Sequence, residues 1–295
     1  MLTVKQLIQL DLFKSCHILH ITPLANGLSH HLYQLTYLDS HKTKQHCVLR
    51  FLRNSIDTVT ADSHNEYQVM QLMYALGLGP NTIDFINVTE QIGQPYSLIV
   101  MDFIQADLAL DITLTDVNIN QLSHHLSTLH SLNISRLKLP SSPNSLTLLD
   151  DYWDIFTNKT TTNLKRFDNI KNALKDITFN NDCLIHGDLN FSNILINDDK
   201  MTWIDWEYAS IGDAYFDYAT LCVEAVDNIE DRLIKSLANN LSNPIHINKQ
   251  RLTLFKLYYA ATCWLWMPQV NADLYINQRN HYQLIVDKLL TDISL

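Results

Sequence analysis

The chain has 295 residues, 46% of them hydrophobic and 18% charged. That is enough apolar material for one large domain or two lobes, and too few charges for a disordered polypeptide. A formal net charge of −10 argues against a nucleic-acid partner, which needs a basic surface, and is compatible with a cationic ligand.

The opening residues show no basic stretch followed by an apolar core, so no signal peptide is expected. Segments 31–38 and 45–52 read as strands, and the polar DSHKTK between them reads as a hairpin loop. Residues 63–76 place Val69, Met70, Met73 and Leu76 at helical spacing, and GLGP stops that helix. The near-continuous apolar run 96–104 predicts a buried strand. After about residue 105 the pattern turns helical. Ile119, Leu122, Leu126 and Leu129 share one helical face, and further helices are predicted over 147–176, 214–226, 230–240, 249–266 and 278–294. The longest apolar run, 257–270, is too short to span a bilayer and predicts a buried helix, so no membrane partner is expected. The chain therefore divides into a strand-rich part, 1–104, and a helical part, 105–295.

The cysteines, Cys16, Cys47, Cys183, Cys222 and Cys263, are scattered, odd in number and without a CxxC pair. Neither a disulfide framework nor a zinc site is expected, and a reducing cytoplasm is. Chemistry concentrates in HGDLNFSN, 186–193, followed by an apolar run, a polar turn and MTWIDWE. Pairing 193–197 with 201–205 across the loop Asp198–Asp199–Lys200 sets Ile196 opposite Thr202, Ile194 opposite Ile204, and Asn193 opposite Asp205. An amide and a carboxylate oxygen would meet at the open end, a pair suited to Mg²⁺. Asp188, on the loop leading in, is placed to accept a proton from a substrate hydroxyl, and His186 shapes the loop. Alternatively, Asn193 and Asp205 are the polar ends of a surface hairpin.

HGDLNFSN followed by IDWE resembles the signature of the kinase-like small-molecule kinases: choline and ethanolamine kinases, bacterial thiamine kinase and aminoglycoside phosphotransferases. The following IDWEYASIGDAYFDYATLCVEA is most similar to the choline and thiamine kinase branch. The resemblance implies an α+β, bilobal protein-kinase-like fold. A small N-lobe over 1–104 would bind nucleotide, and a larger C-lobe over 105–295 would carry catalysis and the acceptor. It implies ATP and Mg²⁺ as cofactors, Asp188 as catalytic base, Asn193 and Asp205 as metal ligands, and Asp217 as a brace for the loop. In VLRF, Arg50 corresponds to the basic residue at the ATP phosphates, with Arg53 as its competitor. Glu66 would hold Arg50, although Ser63-x-x-Glu66 also fits a capping box. Gly27 and Ser29 stand where a phosphate-covering loop belongs, but Asn26 replaces the first of two adjacent glycines that many members have, which bears on nucleotide affinity. Asp102 and Phe103, in VMDFI, match the adenine-binding hinge.

For the acceptor the resemblance implies a small alcohol near a positive charge, choline-like or thiamine-like, met by aromatic faces and a carboxylate. Glu224 and Trp264 match choline-kinase positions. Tyr152 and Trp153 resemble a stretch of thiamine kinase. Each of these aromatics also fits a plain core role. The competing readings are an aminoglycoside-type phosphotransferase, a catalytically silent pseudokinase that binds without turnover, and a metal hydrolase. The last is opposed by the absence of an HxxxH spacing.

Overall fold

The first unit of the chain spans Met1–Asp107 and Leu195–Glu207, and the second spans Leu108–Ile194 and Tyr208–Leu295. The computed structural model describes residues 3–26, 31–53, 63–93, 96–137, 139–198, 200–225, 229–240, 243–271 and 275–294.

In the first unit a short helix α1 (Val4–Leu7) is closed by a Thr3–Gln6 capping box. Strands β1 (His17–Asn26), β2 (His31–Leu38), β3 (Lys44–Arg53), β4 (Thr82–Asn87) and β5 (Tyr96–Asp102) form one antiparallel sheet in the order β1-β2-β3-β5-β4. The expected hairpin is β2–β3, with Leu35 opposite Cys47 and Tyr33 opposite Leu49. Alternation along β3 sends Cys47, Leu49 and Phe51 into an apolar cluster with Leu7, Phe13, Leu35, Leu98 and Val100, which leaves Arg50 on the opposite face. Helix α2 (Ser63–Ala75) buries Val69, Met70 and Met73. It ends where Gly77 takes a left-handed φ of 74°, so that the amide N–H of Leu78 reaches back to the Met73 carbonyl at 2.8 Å. Sequence periodicity did not reveal β1 and β4. β1 lies at the sheet edge, leaves Leu19 and Leu24 exposed, and contains Pro23, so its apolar alternation is weak. A five-residue helix α3 (Val88–Ile92) follows β4.

The second unit is mainly helical: α4 (Asp116–His130), α5 (Leu146–Ile155), α6 (Thr161–Leu174), α7 (Ala214–Glu224), α8 (Glu230–Ala238), α9 (Lys249–Asn271) and α10 (Ile276–Ser294). The helix expected over 147–176 is two helices. Phe156 turns extended, and the Thr160 hydroxyl accepts the Asn163 amide N–H at 3.2 Å to start α6. Helix α9 packs against α5, α6, α7 and α10, and its Phe255, Leu257, Tyr258, Ala260, Ala261, Trp264 and Leu265 are buried. It covers the apolar run read as a buried helix. Among the described residues no helix is long and apolar enough to cross a membrane.

Short strands complete the chain. β7 (Cys183–Ile185) pairs antiparallel with β10 (Ser210–Gly212), and a three-stranded sheet has the order β6 (Asp107–Leu108), β8 (Ile194–Asn197), β9 (Lys200–Trp203).

Candidate active site

In the first unit the site is an ion network built on β3. The Arg50 side chain is 3% exposed and meets three carboxylates: Glu66 through Nε at 2.9 Å, Asp205 through Nη2 at 2.7 Å and Glu207 through Nη2 at 3.7 Å. Burial opposes the guanidinium charge, but Glu66, Asp205 and Glu207 together outweigh it and hold its pKa above the ordinary value. Glu66 is as buried as Arg50, so α2 and β3 are joined by a desolvated ion pair. The Ser63 side chain of the alternative capping box lies outside the described side chains, as does that of Arg53.

The hairpin register drawn from the sequence needs correction. β8 begins at Ile194 and β9 ends at Trp203, so neither Asn193 nor Asp205 is a rung of the ladder. Asn193 closes a 3₁₀ turn, Phe191–Asn193. Asp205 lies two residues beyond β9 with a left-handed φ of 66°, which aspartate tolerates better than most residues. The connection is also shorter than the three residues expected, because β9 already starts at Lys200. Asp205 accepts from Arg50 Nη2 on one oxygen, Oδ1, and Oδ2 has no partner among the described residues.

In the second unit the loop from His186 to Asn193 is held from beneath. Asp217 on α7 is wholly buried and accepts the backbone N–H groups of His186 (to Oδ2) and Gly187 (to Oδ1), each at 3.0 Å. Gly187 adopts φ +82°, and a Cβ there would lie 2.4 Å from the Tyr208 carbonyl oxygen, so only glycine fits. His186 is buried, and its Nδ1 receives the Asp188 N–H at 3.3 Å. The Asp188 carboxylate is gripped from both sides. Asn190 Nδ2 donates to Oδ1 at 3.1 Å, and Asn193 Nδ2 donates to Oδ2 at 3.0 Å and to the Asp188 carbonyl at 2.8 Å. With its amide nitrogen so engaged, Asn193 keeps Oδ1 unpartnered among the described residues.

The expected acceptor residues separate into two groups. Glu224, at the end of α7, accepts the hydroxyls of Tyr259 at 2.9 Å and Tyr282 at 2.6 Å on the same oxygen, Oε1. No cation pairs with it among the described residues. Burial, followed by the neighbouring Cys263, Glu224, Tyr282 and Asp188, pushes the Tyr259 phenol well up; burial, then Glu224 and Asp188, do the same to the Cys263 thiol. Tyr259 and Cys263 therefore lie within the electrostatic reach of both Glu224 and Asp188. Tyr152 is half-buried in the field of Cys263, and burial is the main cause of its raised pKa. Trp264 and Trp153 belong elsewhere. Trp264 is completely buried, 5.2 Å from the Phe156 ring, with the Arg166 guanidinium 5.4 Å from its centroid. It is thus a core residue rather than a face open to an acceptor, which corrects its assignment to acceptor binding. Trp153 stacks on Phe167 at 4.4 Å and carries Lys159 over its ring at 5.5 Å.

Gly27 and Ser29 lie outside the described residues. Asp102 ends β5, and its N–H is taken by the Asn81 carbonyl at 2.9 Å. Phe103 follows with its ring 6.3 Å from His46. Sequence reading missed Asn190, Glu207, His130, Tyr259 and Tyr282. The first two stand inside the quoted motifs and were legible there, whereas the others come from distant helices without a local signal. Among the described residues no group of three or more His, Cys, Asp or Glu side chains has metal-binding geometry.

The second unit thus holds a carboxylate clamped by two amides on a backbone braced by a buried aspartate, and the first holds a buried arginine ringed by carboxylates. Comparison with known proteins gives the family and the fold. Residues 20–251 match the model of the phosphotransferase enzyme family, and the chain belongs to that family. Protein LicA of Haemophilus influenzae is 34% identical over 88 residues, which is 28% of this chain and 33% of that protein, so the match spans about a third of the relative's length. Choline kinase LicA from Streptococcus pneumoniae superposes with a TM-score of 0.71 at 18% identity, covering 97% of this chain and 99% of that one. Spectinomycin phosphotransferase APH(9)-Ia, in complex with ADP and spectinomycin, gives a TM-score of 0.72 at 16% identity over 99% of each chain. A choline/ethanolamine kinase family protein from Mesorhizobium loti gives 0.61 at 14% identity, covering 98% and 92%. At these identities the structures speak for the fold.

Proposed function

We propose that the protein is an Mg²⁺-ATP-dependent kinase of a small cationic alcohol, choline-like or thiamine-like, acting in the cytoplasm. The first unit serves as nucleotide-binding lobe, and the second carries the catalytic loop and the acceptor. The observation that carries the reading is the double clamp on Asp188, whose backbone is in turn tied to Asp217. A carboxylate fixed in this way can orient a hydroxyl and take its proton as the oxygen attacks the γ-phosphorus and the bond to the departing ADP breaks. Holding the acceptor oxygen in line supplies most of what phosphoryl transfer asks of a protein.

Asn193 Oδ1 and Asp205 Oδ2 are hard oxygens without a partner among the described residues, the donor type that suits Mg²⁺, and we assign them to it. Bound there, the ion would neutralise charge on the phosphate oxygens. Arg50 is assigned to the ATP phosphates, with Glu66 holding it, and the backbone around Asp102 and Phe103 to the adenine edge. The cationic acceptor is supported by Glu224, a half-buried carboxylate that pairs with no cation among the described residues, whose field and that of Asp188 overlap at Tyr259 and Cys263. The complexes of spectinomycin phosphotransferase with ADP and of LicA with AMP add support for a nucleotide.

The test is ADP release with Mg²⁺-ATP against choline, ethanolamine, thiamine and kanamycin, beside Asp188→Asn. One small cationic alcohol should turn over, and the variant should lose roughly 10²- to 10⁴-fold in kcat while binding ATP normally. Wild-type turnover by Asp188→Asn would remove it as the base. Turnover of kanamycin alone would move the acceptor to the aminoglycoside class.

A further inference from the structure

We propose that Arg166 is a positioning residue for the acceptor end of the second unit: it locks α10 to α6 and α9, and so sets where the Tyr282 hydroxyl meets Glu224. The proposal rests on the reading of Glu224 as the carboxylate that faces the acceptor. The buried residues of α6 are Asn163, Arg166, Phe167, Ile170 and Leu174, so a guanidinium stands in a stripe that otherwise serves packing. The Arg166 side chain is 8% exposed. A charge so placed needs partners, and Arg166 finds them on three helices. Nε and Nη2 donate to the two oxygens of Asp287 on α10, at 2.6 and 2.9 Å. Nη1 donates to Asn163 Oδ1 on its own helix, and Asn163 Nδ2 is in turn tied to the Asn158 carbonyl at 2.8 Å. The guanidinium carbon lies 5.4 Å from the centre of the Trp264 ring on α9.

These contacts differ in kind from the rest of the α10 packing. Burial of Tyr282, Val286 and Leu289 attracts α10 to its neighbours without a direction, whereas a two-bond fork between guanidinium and carboxylate fixes both its rotation and its height. Tyr282 lies about 7.5 Å along the helix axis from Asp287, at 1.5 Å per residue. Its hydroxyl donates to Glu224 Oε1 at 2.6 Å, and the Tyr259 hydroxyl donates to the same oxygen at 2.9 Å. Glu224 Oε2 is left without a partner among the described residues. A turn or slide of α10 would withdraw one of the two donors, and the carboxylate would rotate to recover a hydrogen bond. Arg166 thus acts on the acceptor through Asp287, α10 and Tyr282 in turn. Burial, then Cys263 and Glu224, raise the Tyr282 pKa, so the phenol stays protonated and the resonance of its ζ carbon reports the hydrogen bond alone.

The test compares the full chain, with tyrosine labelled at the ζ carbon, as wild type, Arg166→Lys, Asp287→Asn and Ile170→Val; Tyr282→Phe assigns the Tyr282 resonance. Arg166→Lys keeps the charge and loses the fork. It should shift the Tyr282 resonance and raise KM for the cationic alcohol about 3- to 30-fold, the range of coupling carried through packed networks, with KM for ATP little changed. Should the lysine variant not fold, Asp287→Asn carries the test from the more exposed partner and should act in the same direction. The two changes together should do less than the single effects added, because both break one contact. Ile170→Val loosens the same buried face without touching the fork; it should lower stability to urea and leave the resonance and both KM values alone. An unmoved Tyr282 resonance in folded Arg166→Lys would overturn the proposal. So would an acceptor KM that rises equally in Ile170→Val, or a KM for ATP that rises with it. If wild type phosphorylates no cationic alcohol, the reading of Glu224 fails, and the resonance alone decides whether Arg166 places Tyr282.

Discussion

Replacing Glu66 by alanine removes one partner of an ion pair whose two side chains are each 3% exposed. The loss is larger than for a surface pair, because Arg50 stays buried and charged. Breaking a buried pair costs about 3–5 kcal/mol. Here Asp205 at 2.7 Å and Glu207 at 3.7 Å remain to compensate, and both are more exposed than Glu66, at 29% and 14%, so their fields are partly screened. The expected cost of Glu66→Ala therefore lies at the low end, about 3 kcal/mol. Replacing both partners with apolar residues of similar size, Arg50→Met with Glu66→Leu, should cost far less than the two single changes added, with a coupling of at least about 2 kcal/mol. Urea denaturation followed by tryptophan fluorescence reads this directly, since Trp203 and Trp206 are buried in the same unit. The reasoning fails if Glu66→Ala costs less than about 1 kcal/mol, or if the single losses simply add. Activity offers a separate readout: the double variant should be stable yet have a raised KM for ATP.

Gly187→Ala forces a Cβ to 2.4 Å from a carbonyl oxygen at φ +82°, so unfolding free energy should drop by about 2–4 kcal/mol and kcat should fall with it; normal values in both denaturation and turnover would refute the close contact. Asp205→Ala should weaken Mg²⁺-ATP binding by calorimetry, and unchanged affinity would remove it as a metal ligand. His125 is buried beside His124, and its pKa is lowered from 6.5 to about 4, by burial first. The unfolded chain therefore takes up the proton first, and stability is full above pH 6.5 and falls toward pH 4 by up to about 3 kcal/mol. His125→Gln should flatten that part of the stability–pH curve, and an unchanged slope would place the acid sensitivity elsewhere.

The strands β2, β3 and β5 and most helices were legible because each writes its own period into the chain. So was Asp188, since the loop that holds it is local and its clamps, Asn190 and Asn193, lie within five residues. The division of 147–176 into two helices was not, because Phe156 and the Thr160 cap interrupt the backbone without interrupting the apolar pattern. Nor was the edge strand β1, most of whose described side chains face solvent and need no alternation.

The sequence by itself, through local patterning and the family resemblance of its motifs, gave the fold class and singled out the loop from His186 to Asn193 and Arg50 on β3, because those signals lie within short stretches of chain. Only the tertiary structure decided what each residue meets: Arg50 with Glu207 as well as Glu66 and Asp205, His130 with Asp217, Glu224 with two tyrosines, and Trp264 with Arg166 instead of solvent. The same holds for Asn193 and Asp205, which a one-dimensional register placed on a ladder that ends before reaching either. Partners 87 residues apart, such as His130 and Asp217, carry no mutual signal in the chain; they are brought together only when helices pack to bury their apolar faces and the polar groups left inside must find one another.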